Sequence, residues 1–317
     1  MIVSNEVRAL LRLCAIRVEN KSLDWSMVAR AARAGALETL LAGDVPHSET
    51  VGTRTSATPI LRYGLAHADA AEERVAAELD AADLAGARLI TVLDEDYPAN
   101  LTDVPDLPPF LFVRGSLAAE DACSAAVVGT RQATAVGLAR AARMSRELVQ
   151  AGVTVVSGLA RGVDTAGHSA ALEAGGRTIA VMGTGITKCY PAENRELAER
   201  ITTRGALVSQ FWPTRTPGRD TFPRRNRVTS GISRGSVVIE ASRTSGAKMQ
   251  ARLAAEHRKH VWLIASLVDT QDWARKMISE GRATVVRSSE EVISSVLTPA
   301  PKSSRLVPAA QETLEFE

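Results

Sequence analysis

Cysteine is scarce. The chain has three, Cys14, Cys123 and Cys189, far apart and without paired spacing, which argues against a disulfide framework and against a cysteine-built structural zinc site. No apolar run approaches the length of a membrane span, and no signal-peptide pattern opens the chain, so a soluble cytoplasmic protein is expected, with no membrane partner. An excess of one charge sign is also missing: 38 Lys and Arg stand against 36 Asp and Glu, a formal net charge of +2. The molecule is therefore not globally basic, and affinity for a polyanion has to come from local clustering. At 317 residues the chain can bury a full core, with one large domain and one smaller one.

Clustering is present. Arg219, Arg224, Arg225, Arg227 and Arg234 lie within sixteen residues, opposed there by Asp220 alone. A solvated charged face is the ordinary account of a charge run. Here Phe222, Pro223, Asn226 and Gly231 are interleaved with the arginines and no acids alternate with them, which favours an anion-binding loop.

The segment 125–247 organises the rest. Four short apolar runs, 125–128, 154–156, 179–182 and 237–239, each stop at a loop rich in glycine or arginine. Each loop is followed by ten or more residues with apolar positions at helical spacing. Strand, loop and helix in repetition predict an α/β fold, a Rossmann-like, doubly wound, mainly parallel sheet. Its ligands would lie beyond the carboxyl ends of the strands, where free N–H groups at helix starts favour anions. Residues 1–85 are alanine-rich and helical in pattern, with no strand signal, and read as a small all-helical domain. Within it, the residues from Asp24 and those of 36–41 read as one helix, Gly43, Pro46 and Gly52 mark a break, and 59–82 reads as one longer helix. Residues 89–93 read as a strand and 108–115 as an extended lead-in, so the sheet domain is placed at 86–297. A Pro/Ser-rich disordered tail is expected over 298–317.

Several residues carry the chemistry. Gly129 suits a tight turn, but the GxGxxG fingerprint and the acid after the second strand are both missing, so a dinucleotide cofactor is not expected. Arg131, at a helix start, can hold a phosphate in a two-pronged hydrogen bond. Gly158 and Gly162 let backbone approach a ligand closely, and Arg161 supplies charge. Asp164 is expected to cap the helix 165–172, and His168 to be packed within the fold. His257 and His260 are placed at the end of a later helix, where cations suit the dipole, and no metal site is assigned to them. Lys188 lies near Tyr190, which either stacks on a base or packs against the sheet. From Arg219 to Arg227, arginines beside Phe222 combine phosphate neutralisation with a stacking face, as single-stranded nucleic acid requires. Arg224, Arg225, Asn226 and Arg227 belong to this run, and one arginine, Arg227 or Arg225, is open to a structural pairing with Glu240. Ser245, Gly246 and Lys248 open another helix and form a further phosphate cradle. No catalytic constellation stands out.

The ordered succession of motifs carries a family resemblance. It comprises residues 88–91 with Asp96-Tyr97-Pro98, 108–115, Val128-Gly129-Thr130-Arg131, 157–164, 176–185, Tyr190-Pro191, Phe222-Pro223-Arg224-Arg225-Asn226-Arg227 and Ser245-Gly246-Ala247. In that order they resemble the DprA/Smf family of DNA-processing proteins, over about residues 88–250 with a weaker continuation to 296. The resemblance implies an extended Rossmann-like fold, a homodimer, and binding and protection of single-stranded DNA. It also implies loading of a RecA-type recombinase during natural transformation, with Arg131 and Arg219 at DNA-contacting positions. Ala192 departs from the basic residue that relatives often carry after Tyr-Pro, and Ala265-Ser266 replaces their Pro-Gly. Met277 and Ile278 occupy a position that relatives use in dimer contacts, with core packing the equal alternative. Gln311, Leu314 and Phe316 resemble a sliding-clamp-binding peptide. The competing class is a nucleotide-hydrolysing enzyme or sensor of phosphoribohydrolase type, disfavoured because its Pro-Gly-Gly loop is missing; a role in a defence system is a third reading.

Overall fold

The computed structural model describes residues 1–298 apart from Asn20 and Arg243. The expected tail beyond residue 298, and with it Gln311, Leu314 and Phe316, lies outside the described residues. Helices α1 (Asn5–Ala15), α2 (Trp25–Arg33), α3 (Leu37–Leu41), α4 (Val51–Ala66) and α5 (Asp69–Leu84) form the N-terminal part. Ser4 caps α1 by accepting from the Val7 N–H, and Asp24 caps α2 by accepting from Ser26. Their apolar stripes meet in a core that includes Leu10, Leu11, Met27, Leu40, Leu61 and Leu79.

Four expectations for this part change. A short antiparallel hairpin, β1 (Arg17–Val18) and β2 (Lys21–Ser22), interrupts the helices; two residues per strand are too few to leave a period-two signal. Residues 24–41 form two helices, separated at Gly35, whose φ of +69° ends the first. Gly52 lies inside α4, because Thr50 caps that helix by accepting from Thr53. Finally, 59–82 is two helices: His67 ends α4, and Asp69 and Glu72 in the first turn of α5 suit a new helix start.

The central sheet has nine strands: β3 (Arg88–Thr91), β4 (Phe110–Gly115), β5 (Ser124–Val128), β6 (Thr154–Ser157), β7 (Thr178–Val181), β8 (Ala206–Ser209), β9 (Gly235–Val238), β10 (His260–Ile264) and β11 (Thr284–Val286). Their order across the sheet is 11-10-9-5-6-7-8-4-3. The strands from β11 to β8 run parallel, whereas β4 pairs antiparallel with both β8 and β3. The segment read as a lead-in is thus a strand of the sheet itself, one in from the β3 edge. Strands β5 to β9 are buried at every residue, as expected when helices cover both faces. Those helices are α6 (Ala135–Gln150), α7 (Val163–Glu173), α8 (Arg195–Thr202), α9 (Thr221–Ile232), α10 (Gly246–Glu256), α11 (Ala265–Thr270), α12 (Asp272–Ser279) and α13 (Ser289–Leu297). The Ala265-Ser266 pair opens α11 instead of forming a loop. His260 opens β10 and stacks on Trp262, so only His257 sits at the end of α10, buried with Nδ1 3.0 Å from Ser230 Oγ.

The chain winds from β5 through β6, β7 and β8 in one direction, then returns through α9 to build β9, β10 and β11 in the other. The crevice between β5 and β9 is therefore the switch point of the sheet. The helical part docks on the opposite edge. The Trp25 ring lies 4.9 Å from that of Phe110 on β4, and Glu78 accepts from the Thr214 N–H at 2.9 Å and its hydroxyl at 2.8 Å. One apolar cluster runs continuously through both parts.

His168 on α7 is fully buried, with Nδ1 2.7 Å from Thr178 Oγ1. Burial, aided by the charge of Arg225, lowers its pKa from 6.5 to about 3. The unfolded chain then takes up a proton below pH 6.5 that the folded chain refuses until pH 3. The corresponding stability is present above the unfolded value and is lost as pH falls, by up to ~1.4 kcal/mol per unit. Thermal unfolding of the protein and of His168→Gln between pH 7 and 4 checks this; the variant should show a shallower decline, and equal slopes contradict it.

Candidate nucleic-acid interface

At the carboxyl ends of β5, β6 and β9, short loops are packed against one another so closely that glycine is required. A Cβ on Gly129 would run into Val163 and come within 3.0 Å of the Glu240 carbonyl. Gly162, at a φ of +73°, has the carbonyls of Thr130 and Arg131 where a side chain would begin. Leu159 also adopts a positive φ, and buried Asn194 holds it there by donating to its carbonyl at 2.8 Å. Asp164 does not cap its own helix, which starts at Val163 with Gly162 as the cap residue. Its buried carboxylate accepts from the N–H groups of Gly158 at 3.1 Å and Ala160 at 3.2 Å, and so shapes the loop.

Arg225 lies beneath these loops. Only 7 % exposed, it donates through Nη1 to the carbonyls of Gly158 and, at 3.0 Å, Val181, and through Nε to Asn226 Oδ1 at 3.0 Å. A Cβ on Gly158 would overlap its guanidinium. Burial lowers the Arg225 pKa, and Asp164 opposes that; burial raises the Asp164 pKa, and Arg225 with the loop amides opposes it. Arg225 is thus the structural arginine of the run, but its partners are carbonyls and not Glu240. Glu240 instead accepts from the N–H of Thr134 at 3.1 Å and its hydroxyl at 2.9 Å, next to Gly137 at the start of α6.

Above Arg225 is an open cleft of about 550 Å³. One wall has Arg131, Arg161 and Phe222; Gly129 and Gly158 reach its floor; Ser245 and Gly246 form the far side, where Ser245 caps α10. The Phe222 ring is seated on Gly183, where a Cβ would come within 2.8 Å, and lies 5.7 Å from the ring of half-exposed Tyr190. Arg131 is exposed, its Cζ 5.2 Å from the Phe222 centroid, and has no carboxylate partner among the described residues. Arg161 differs: it makes a two-pronged pair with Glu193, at 2.7 and 2.6 Å.

Helical period divides the arginine-rich run. Phe222, Arg225, Asn226 and Thr229 face the crest cleft, whereas Arg224 and Arg227 face away, toward the N-terminal helices. Arg224 stacks on Trp25 and Phe211, and Arg227 pairs with Asp106. The run is therefore not one binding surface. Arg219 and Lys188 are exposed, Lys248 is half-buried, and none of the three lines the cleft. Met277 is buried in the chain's own core, which leaves half-buried Ile278 alone to offer a face. Thr229 and Gln250 also line the cleft; Thr229 follows Arg225 by one helical turn, and Gln250 is a polar residue among the buried apolar positions of α10, which are the signals the sequence offers for them.

The fold and crest define an open, doubly wound α/β protein with a cationic, aromatic-walled cleft at its switch point. The model of DNA recombination-mediator protein A matches residues 88–297, and the chain belongs to that family. Protein Smf of Synechocystis is 37% identical over 210 residues, covering 65% of this chain and 51% of that protein. DNA processing protein DprA of Streptococcus pneumoniae is 37% identical over 205 residues, covering 64% of this chain and 72% of that one. Its X-ray structure superposes with a TM-score of 0.72 at 27% identity, over 93% of this chain and 98% of that one. DNA processing protein A of Helicobacter pylori, whose structure was described for its single-stranded DNA binding mode, shares the fold at a TM-score of 0.59 and 24% identity, over 67% of this chain and 95% of that one. The chain spans about half the length of the Synechocystis relative.

The two kinds of arginine separate in a stability measurement. Arg225→Leu orphans two carbonyls and removes the positive charge beside the buried Asp164 carboxylate, and should cost about 3–5 kcal/mol in denaturant unfolding. Arg131→Ala, at an exposed position, should stay within about 0.5 kcal/mol. Two equally small effects would contradict the assignment.

Proposed function

We propose that the crest cleft binds single-stranded DNA without catalysis, in the service of recombination. The observation that carries the reading is Arg131: an exposed guanidinium with no carboxylate partner among the described residues, set beside the Phe222 and Tyr190 rings at the mouth of an open cleft. Gly129, Gly158 and Gly162 serve the close packing of the loops and not the approach of a ligand. A guanidinium beside a stacking face suits phosphodiester and base together. Membership of the recombination-mediator family, and the single-stranded DNA binding mode described for the H. pylori protein, support the same reading. Protection of the strand, loading of a RecA-type recombinase, action in natural transformation within the cytoplasm and a homodimeric state belong to the proposal. Clamp docking through the tail peptide belongs to it too. No described helix is long and apolar enough to cross a membrane. The enzyme alternative needs a carboxylate beside a Gly-rich loop to stabilise a ribosyl cation; Glu240, which precedes Ser245-Gly246, is held by Thr134 and does not line the cleft, so that reading loses support.

Phosphate contacts release counterions, so binding to a labelled oligothymidylate should weaken steeply with salt and depend little on sequence. Arg131→Ala should reduce the log–log salt slope by about 0.7, the share of one phosphate on a single strand. Phe222→Ala should cost about 1–3 kcal/mol of binding with the slope retained. An Arg131→Ala protein with unchanged affinity and slope would overturn the assignment, and release of free base from a nucleoside monophosphate would restore the enzyme.

A further inference from the structure

The far face of α9 opens on a second cleft, of about 600 Å³, between the N-terminal helices and the loop after β8. None of its lining residues belongs to the crest. Arg74 of α5 has its Cζ 5.2 Å from the Trp212 ring, and Arg224 lies 5.0 Å from Trp25 and 5.3 Å from Phe211. Both arginines are half-buried, Arg17 stands exposed at the same opening, and none of the three has an ion-pair partner among the described residues. Burial lowers the pKa of Arg74 and of Arg224; neighbouring guanidinium charges add to it, while Glu78 opposes it at Arg74 and Asp220 and Asp24 oppose it at Arg224.

The acids that share the cleft are already occupied. Glu78 accepts twice from Thr214, Asp220 pairs with Arg215 at 2.9 Å, Asp106 pairs with Arg227, and Asp24 caps α2. Two buried donors in the lining, Gln210 Nε2 and Trp212 Nε1, lack an acceptor. An aromatic face fixes the plane of a guanidinium and leaves its N–H edge free for oxygen. Half-buried guanidiniums with no ion-pair partner among the described residues are costly unless an oxygen-rich ligand completes them; the two buried donors are closed off from the cleft and would not meet such a ligand.

We propose that this cleft is a second phosphate-binding site, taking the phosphate of a nucleotide at the junction of the helices and the sheet. Its volume suits a mononucleotide, within the range of roughly 300–1,000 Å³ usual for small-molecule sites. The phosphate comes either from a free nucleotide or from a strand whose other phosphates occupy the crest across the same helix. The rings of Trp25 and Trp212 are covered by arginine, so recognition falls on the phosphate and not on the base. Only the strand source rests on the crest reading; the free-nucleotide source stands without it, and the test keeps the two apart.

Calorimetric titration of the full chain with dAMP, with deoxyadenosine as control, reads the site directly. dAMP should bind and deoxyadenosine should not. Arg74→Lys, which keeps the charge but loses the stacked fork, and Arg17→Glu, on an exposed hairpin, should each weaken dAMP about tenfold or more. Arg131→Ala should leave dAMP binding at the second cleft unchanged. If dAMP is silent but Arg17→Glu weakens an oligothymidylate in the Arg131→Ala background, the phosphate belongs to the strand and the site stands. If neither ligand responds to Arg17→Glu or Arg74→Lys, the proposal is overturned, whatever the crest does.

Discussion

The crest depends on one buried guanidinium. Arg225 reaches from α9 under the ends of β6 and β7, takes up the carbonyls of Gly158 and Val181, and sits beside the Asp164 carboxylate. Asp164 in turn holds the amides of Gly158 and Ala160. A helix that returns the chain across the sheet is thus fastened to the loops it crosses. An isolated buried charge is unfavourable by several kcal/mol, so these loops persist in the geometry that satisfies it. Arg131 and Phe222 can then be presented at fixed positions while making few internal contacts themselves.

The same helix separates two kinds of surface. Because consecutive residues of α9 point in different directions, a run of four polar residues supplies a lock (Arg225 with Asn226) and a junction contact (Arg224 and Arg227) within two turns. Phe222, one turn earlier, supplies the wall. Only local charge density is visible in a one-dimensional reading; the partition follows from the angle of about 100° between successive side chains.

The parallel strands β5, β6, β7 and β9 were legible because each contains a short apolar run that stops at a loop rich in glycine or arginine. β8 and β11 were not: Ala206–Ser209 runs on into Gln210-Phe211-Trp212 with no glycine loop to mark its end, and Thr284–Val286 has three residues. That Arg131, Gly129, Gly158 and Phe222 come together at the crest was legible, because each stands at a strand end or a helix start of the repeating pattern. The roles of Asp164 and Glu240 were not, since both accept from backbone N–H groups that neighbour them only in space, or against local helix-capping rules. The junction of Trp25 with Phe110 and Trp212 was equally hidden, as it joins segments far apart in the chain.

The central claim is that a single strand lies against the Phe222–Tyr190 wall above the Arg225 lock. Photo-cross-linking of a 5-bromouracil-substituted oligonucleotide, followed by peptide mapping, tests it most directly. Adducts at Phe222 or Tyr190 are predicted. A strand that cross-links efficiently to the protein while both of these residues remain unmodified would contradict the account.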